Sequence, residues 1–287
     1  MRYPTKKMSE NSSEGMINHV GWRNFAAEVR NQKYQVDLVK ASLFYAQAEY
    51  QDLNVDVYLD KLSAIAQKIS VKLPTDRYPL KLIKTINEHL FTELDFQGDR
   101  QDYYNFENSF LNRVIDRQKG IPITLSVIYL EIAKLIGFPM VGIGMPGHFL
   151  IRPDFADAGI FVDVFNQGEI LFPQDCVEKL SQIYQQPMKL EPHWLNPVSN
   201  QQILARMLSN LKQIYLYQRE PEKVLPIVEG ILILFPQNPY ELRDRGLLLY
   251  EMARWYEAAK DLNTYLKTIP DADDAEMVEM LLSKIEF

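Results

Sequence analysis

Three places along the chain hold residue types that acid–base or nucleophilic chemistry uses. Gly120-Ile121-Pro122 opens an apolar helical run, His148 opens a β-rich run, and Asp163 lies in the next β-rich run. Acyl transfer through a thiol needs a nucleophile at a helix N-terminus, where the helix dipole lowers its pKa. It also needs a His on one strand to take the proton and an acid on the neighbouring strand to orient the ring. His148 and Asp163 answer to the last two places. The first is held by Pro122, which has neither a nucleophile nor an N–H to offer an oxyanion. The one cysteine, Cys176, lies outside this constellation and reads as a buried inert thiol. Thr124 and Ser126 follow within a turn of Pro122, where hydroxyls ordinarily bond backbone. Ser126 is the substitute nucleophile only if His148 activates it. As a metal site, His148 and Asp163 supply two ligands, and no HxxxH or HxxE pair adds a third. No metal and no cofactor is therefore expected.

A polar run, 108–119, precedes the helix. It reads as capping and surface pairing, or as a grip in which Asn112 and Arg113 face the His148 cleft and hold a carboxylate or backbone group. Tyr103, Tyr104 and Phe106 read as core aromatics, with a lid as the other reading. His19, His89 and His193 are placed in a tail, on a helix surface and in a connector.

The elements that must position these residues are legible from periodicity. Residues 1–20 are polar and read as a disordered tail. Apolar spacing predicts helices over 37–50, 55–71 and 80–94, with Pro74 and Pro79 punctuating the last two. Residues 97–121 form a polar, aromatic loop with a short helix at 109–115. Residues 122–136 form a strong helix with Pro122 at its first position and Gly137 as its terminator. Short β-rich runs at 140–145, 148–152, 160–164 and 169–172 follow, the last two joined by a turn at Asn166-Gln167-Gly168. The layout is α+β, a helix and a small antiparallel sheet. Residues 173–200 read as a Pro-containing connector.

From residue 200 the chain is helical and repeats itself. Pro236 and Pro270 stand 34 residues apart, and the same offset pairs Leu208 with Leu242, Tyr215 with Leu249, and Ile231 with Tyr265. Thirty-four is the tetratricopeptide period, and Gly246, Ala258 and Pro270 sit at that repeat's positions. Two copies plus a final helix are too few to stand alone, so the module is expected to pack on what precedes it. The organisation is then a tail over 1–20, a first domain over 21–195 and repeats over 196–287.

Composition sets the outer limits. At about 150 residues per domain, 287 residues make roughly two. The 47% apolar and 24% charged fractions are those of a globular chain. A formal charge of −7 disfavours direct nucleic-acid binding, which needs clustered cations. The apolar window 135–151 holds four Gly and two Pro, so it reads as loop and strand, and no membrane span is expected. A single cysteine and no secretory leader fit a cytoplasmic protein. The oligomeric state is left open.

The chain resembles the SirB-type bacterial family, in which a transglutaminase-like domain precedes tetratricopeptide repeats. The stretches NSFLNRVIDRQKGIPITLSVIYLEIAKLIGFP, GMPGHFLIR, FVDVFNQGEIL, NPVSNQQILARMLSNLKQIY and ELRDRGLLL carry the likeness, which covers nearly all of the chain after the tail. The resemblance implies a transglutaminase-like α+β fold followed by an all-α repeat module. It also implies that His148 and Asp163 occupy the family's His and Asp positions, and that Pro122 occupies the position of the thiol. The SirB-type proteins generally share this Ile-Pro. The reading that follows is a non-catalytic protein-interaction or adaptor protein that takes a protein or peptide partner through the repeats. The family name implies a link to gene regulation, which the acidic charge makes indirect. The rival is a hydrolase or amide-processing enzyme using His148 and Asp163 with water or a non-cysteine nucleophile.

Overall fold

The computed structural model describes residues 19–31, 35–155 and 159–285. The expected tail lies outside them up to residue 18. Its last two residues belong to the first helix: His19 caps α1 (Val20–Arg30) with Nδ1 accepting from Gly21 N at 3.3 Å. Next come α2 (Leu38–Glu49), α3 (Val55–Ser70) and α4 (Pro79–Asn87). Asp37 and Asn54 cap α2 and α3 by accepting from backbone N–H groups, as short polar side chains do.

The helix expected over 80–94 changes character after Asn87 and continues as a π-helical segment, Glu88–Glu93. This wider turn carries the buried residues His89, Leu90 and Phe91. His89 is therefore not on a helix surface. It is 3% exposed, with Nδ1 2.8 Å from Glu93 Oε2 and 3.3 Å from Lys72 Nζ.

Residues 97–121 contain a two-residue parallel pairing of β1 (Gln97–Gly98) with β2 (Lys119–Gly120) and the short helix α5 (Leu111–Arg117). Then α6 (Pro122–Leu135) runs through the centre of the core, with eleven of its residues buried. A helix that is apolar all round belongs inside. Gly137 ends it at φ +72°, the left-handed backbone that glycine supplies without strain.

The antiparallel sheet has the order β6-β5-β4-β3-β7, built from β3 (Met140–Ile143), β4 (Leu150–Pro153), β5 (Phe161–Asp163), β6 (Glu169–Leu171) and β7 (Pro197–Val198). Its pleat divides two layers. Ile151 and Val162 pack in the main core with α6, while Leu150 and Phe161 join Cys176 and Leu180 of α7 (Pro173–Tyr184) on the other face. Both α7 and β7 fall in the stretch expected to be a connector. The buried residues of α7 are Cys176 and Leu180, four apart, a pattern too sparse to read as an apolar face. The turn at Asn166-Gln167-Gly168 closes the β5–β6 hairpin, with Gln167 at φ 55° and Gly168 at φ 74°. A Cβ on Gly168 would lie 2.2 Å from Asn87 Oδ1, and Asn87 Nδ2 donates to Gly168 O, so α4 braces this hairpin.

The repeat module comprises α8 (Asn200–Gln218), α9 (Pro221–Leu234), α10 (Pro239–Glu251), α11 (Trp255–Thr268) and α12 (Ala275–Ile285). Gly246 allows α10 and α11 to close: a Cβ there would stand 2.7 Å from Leu262 Cγ. The module packs against the helices before it. Trp22 lies on Gly230, Ser42 Oγ donates to Met207 Sδ at 3.7 Å, and Asn200 Nδ2 donates to Val36 O at 2.7 Å. One apolar core therefore runs across residues 195–196 without a break.

Candidate functional site

The Pro146-Gly147 turn, with Gly147 at φ +71°, delivers His148 two residues before β4 rather than as the first residue of the strand. Its backbone N–H donates to Met145 O at 3.1 Å. Asp163 ends β5, the neighbouring strand, and its side chain is wholly buried. His148 Nε2 lies 2.9 Å from Asp163 Oδ2. The ring nitrogen does not meet that oxygen with the alignment of a straight hydrogen bond. The sequence-predicted pair is thus brought together.

A third group joins it. Lys179 of α7 donates from Nζ to the same Asp163 Oδ2 and reaches Glu169 Oε2 at 3.2 Å. Asn166 adds two hydrogen bonds, its N–H to Oδ1 at 3.2 Å and its Nδ2 to Oδ2 at 2.6 Å. Burial pushes the Asp163 carboxyl up, but His148 and then Lys179 outweigh it and hold the carboxyl at about 2. Sequence reasoning missed Lys179. The available signal was its place beside Leu180 and three residues after Cys176, on the inner side of α7.

The ring of His148 meets Phe165 edge-on at 6.4 Å, and Phe165 meets Tyr103 at 5.9 Å. Arg100 lies over Phe165 at 4.9 Å and donates to Asn166 Oδ1. Of the three aromatics expected in the core, Phe106 is there, packed on Phe110 and Tyr215. Tyr103 is 38% exposed and packs on Phe165 as a rim next to His148, while Tyr104, 78% exposed, touches Tyr103 from outside.

The start of α6, where the resemblance puts the thiol, carries a proline. Pro122 is the first residue of α6, and Thr124 closes that helix start by accepting from Ile121 N at 3.2 Å and donating to Asn108 O at 2.9 Å. Thr124 is thereby committed to backbone. Ser126 is fully buried, and among the described residues its Oγ has no hydrogen-bond partner, His148 included. Cys176 is buried in the layer beneath the sheet, where burial first and Asp175 second push its thiol up to about 11. Thiol reagents at pH 8 should leave the native chain unlabelled for many minutes and label it at once in denaturant. Rapid labelling of the folded protein would contradict this placement.

Asn112 and Arg113 are not brought to His148. Asn112 is 3% exposed within the core-facing side of α5. Arg113 pairs with Glu107 Oε1 at 2.7 Å and lies over the Tyr50 ring. Their spacing along α5 points them at α2 and the 106–109 turn, because α5 packs there and not on β4. The guanidinium beside His148 comes instead from Arg206 of α8, which donates to His148 O at 2.8 Å and Met145 O at 3.2 Å. Among the described residues, no three His, Cys, Asp or Glu side chains gather in a way that would hold a metal. No helix of the described residues is long and apolar enough to cross a membrane.

Comparison with known proteins agrees with this architecture. Residues 56–209 match the transglutaminase-like superfamily, and residues 211–283 match the tetratricopeptide repeat. The chain is 32% identical over 261 residues to a UPF0162 protein of Xylella fastidiosa (strain 9a5c), covering 84% of this chain and 87% of the relative. It is 26% identical over 229 residues to Protein SirB1 of Salmonella typhimurium, covering 79% and 83%. It is 31% identical over 190 residues to F-box only protein 21 of Mus musculus, covering 62% of this chain and 29% of that one. No solved structure matches. With one family model spanning more than half the chain, a repeat model covering most of the remainder and relatives that run along most of its length, the chain belongs to the transglutaminase-like superfamily, in the group with C-terminal tetratricopeptide repeats that includes SirB1 and the UPF0162 proteins.

Proposed function

We propose that this is a non-catalytic transglutaminase-like protein that works in the cytoplasm as an interaction or adaptor protein, with its C-terminal repeats as the partner surface and any regulatory role indirect. The observation that carries the reading is Pro122 at the start of α6, where a thiol would be required. The surroundings of Asp163 support it. In acid–base catalysis the carboxylate stabilises the imidazolium that forms; here the same oxygen is already countered by Lys179. Fixed charge that is spent on a structural clamp is not available to the reaction.

Support for the partner surface comes from the repeats. Stacked helix pairs present a groove between neighbours. Here it runs along α8 and α10, lined by Leu216, Arg219, Arg243 and Leu247, and encloses about 650 Å³. Leu216 is 44% exposed and fills no core.

The test uses the full chain, because α8 and α9 complete the core of the preceding helices. Partners retained by wild type and by His148→Ala, and lost with Leu216→Glu/Arg219→Glu, are the expected result. Release of amine from glutamine- or asparagine-containing peptides, abolished by His148→Ala, would establish the enzymatic alternative instead.

A further inference from the structure

We propose that the rim beside His148 is a carboxylate-binding site, in which Arg206 takes the acid group of a peptide and Tyr103 and Phe165 flank the side chain next to it. Three observations lead there.

The first is an uncompensated cation. Arg113, Arg245 and Arg254 each hold a carboxylate. The partly buried Arg206 guanidinium has none among the described residues. Taking a guanidinium out of water without a counter-ion is costly, and here the sequence keeps it so. The titratable side chains nearest to it are two phenols, Tyr103 and Tyr184, which carry no charge at neutral pH and so do not neutralise it.

The second is preorganisation. The carbonyls of Met145 and His148 accept from Nη1 and Nη2. They lock the fork and use two of its five N–H donors. The remaining donors suit a planar acceptor taken in two parallel bonds, which a carboxylate provides. The third is the wall. From Arg206 the circuit runs through the His148 backbone to its ring, then to Phe165 at 6.4 Å and Tyr103 at 5.9 Å. Tyr184, 45% exposed, stands at the other side, close to Gly147. Aromatic faces next to a cation favour an acid group carried beside an apolar or aromatic side chain.

Charge selects the source. A phosphate polymer is held by clusters of cations that release counter-ions. Among the described residues this site has two guanidiniums without a carboxylate, Arg206 and, over Phe165, Arg100, in a chain of net charge −7, which is no such cluster. An acidic peptide segment or a peptide C-terminus fits; nucleic acid does not. The site is separate from the repeat groove, so its failure leaves the reading of the repeats standing.

The experiment titrates ¹⁵N-labelled full-length protein with N-acetyl-tyrosine, with its amide, and with inorganic phosphate, following the Gly147 to Phe149 amides and the His148 ring. N-acetyl-tyrosine should give saturable shifts there, and its amide should bind at least about tenfold more weakly, because the charge-assisted bonds are gone. Arg206→Gln should lose the acid by about the same factor, and Arg206→Lys, which keeps charge without the fork, by several-fold. Tyr103→Ala, which removes a rim side chain that supports no core, should also weaken it. Equal binding of acid and amide, unaltered binding by both Arg206→Lys and Tyr103→Ala, or tighter binding of phosphate than of the acid would each overturn the proposal. If Arg206→Gln loses its native circular dichroism, Arg206→Lys and Tyr103→Ala decide the matter.

Discussion

Asp163→Asn should destabilise the protein by about 3 kcal/mol, because it strands a buried cation without its partner. The carboxylate is wholly buried and faces His148, Lys179 and both donors of Asn166. The amide keeps the shape and loses the charge. Lys179, whose side chain is 16% exposed, then has only Glu169 to turn to. Urea unfolding measures the loss, and Lys179→Met in the same background should restore part of it, since the stranded ammonium is then gone. The linkage sign gives an independent check. The folded carboxyl is held at about 2, below its ordinary 3.8. Its contribution, on the order of 2 kcal/mol, is therefore full above pH 4 to 5 and lost as pH falls through 3.8 towards 2. Wild type should show that acid-side decline, and Asp163→Asn should lack it. A variant within about 0.5 kcal/mol of wild type would refute the clamp.

Lys212→Met should cost about 3 kcal/mol for the opposite reason, a buried anion left without its cation. Lys212 is 5% exposed on α8 and meets Glu241 at 2.7 Å and Asp244 at 2.9 Å on α10, so it ties the first helix pair to the second. Asp244 keeps Arg243 when Lys212 is removed. Glu241, 8% exposed, keeps nothing comparable. Replacing both Lys212 and Glu241 by Met should return the protein to within about 1 kcal/mol of wild type, since an apolar pair of similar volume costs little. Thermal unfolding of the two variants separates the cases. A double variant as unstable as the single one would show that packing at this joint, not charge, was lost.

Local chemistry made much of the candidate site legible. Pro122 at a helix start, Gly137 beyond its end and the turn at Asn166-Gln167-Gly168 depend on backbone preferences of a few residues, and each element formed where those preferences put it. The pairing of His148 with Asp163 followed from two adjacent antiparallel strands. The 34-residue period became two helix pairs, and in the second Gly246 lets α10 close on Leu262 of α11. Where local signals were sparse, the reading failed. The helix α7 shows two buried residues, and the strand β7 is two residues long; neither offers a period to detect.

The partners of the site were decided elsewhere. Lys179 reaches Asp163 from 16 residues along the chain, and Arg206 reaches the His148 carbonyl from 58. Arg113, closer to the helix start in sequence, turned the other way to Glu107 and Tyr50. Periodicity states which face of a helix is apolar, a property of neighbours three or four residues apart. Which long cation meets which carboxylate depends on how two helices dock against one sheet, and that is set by the packing of the whole core. By itself, then, the sequence determined the strongly patterned elements, the His–Asp pair and the proline at the start of α6. The tertiary structure alone decided that the acid is clamped by a lysine and that an arginine without an acidic partner among the described residues stands beside the histidine.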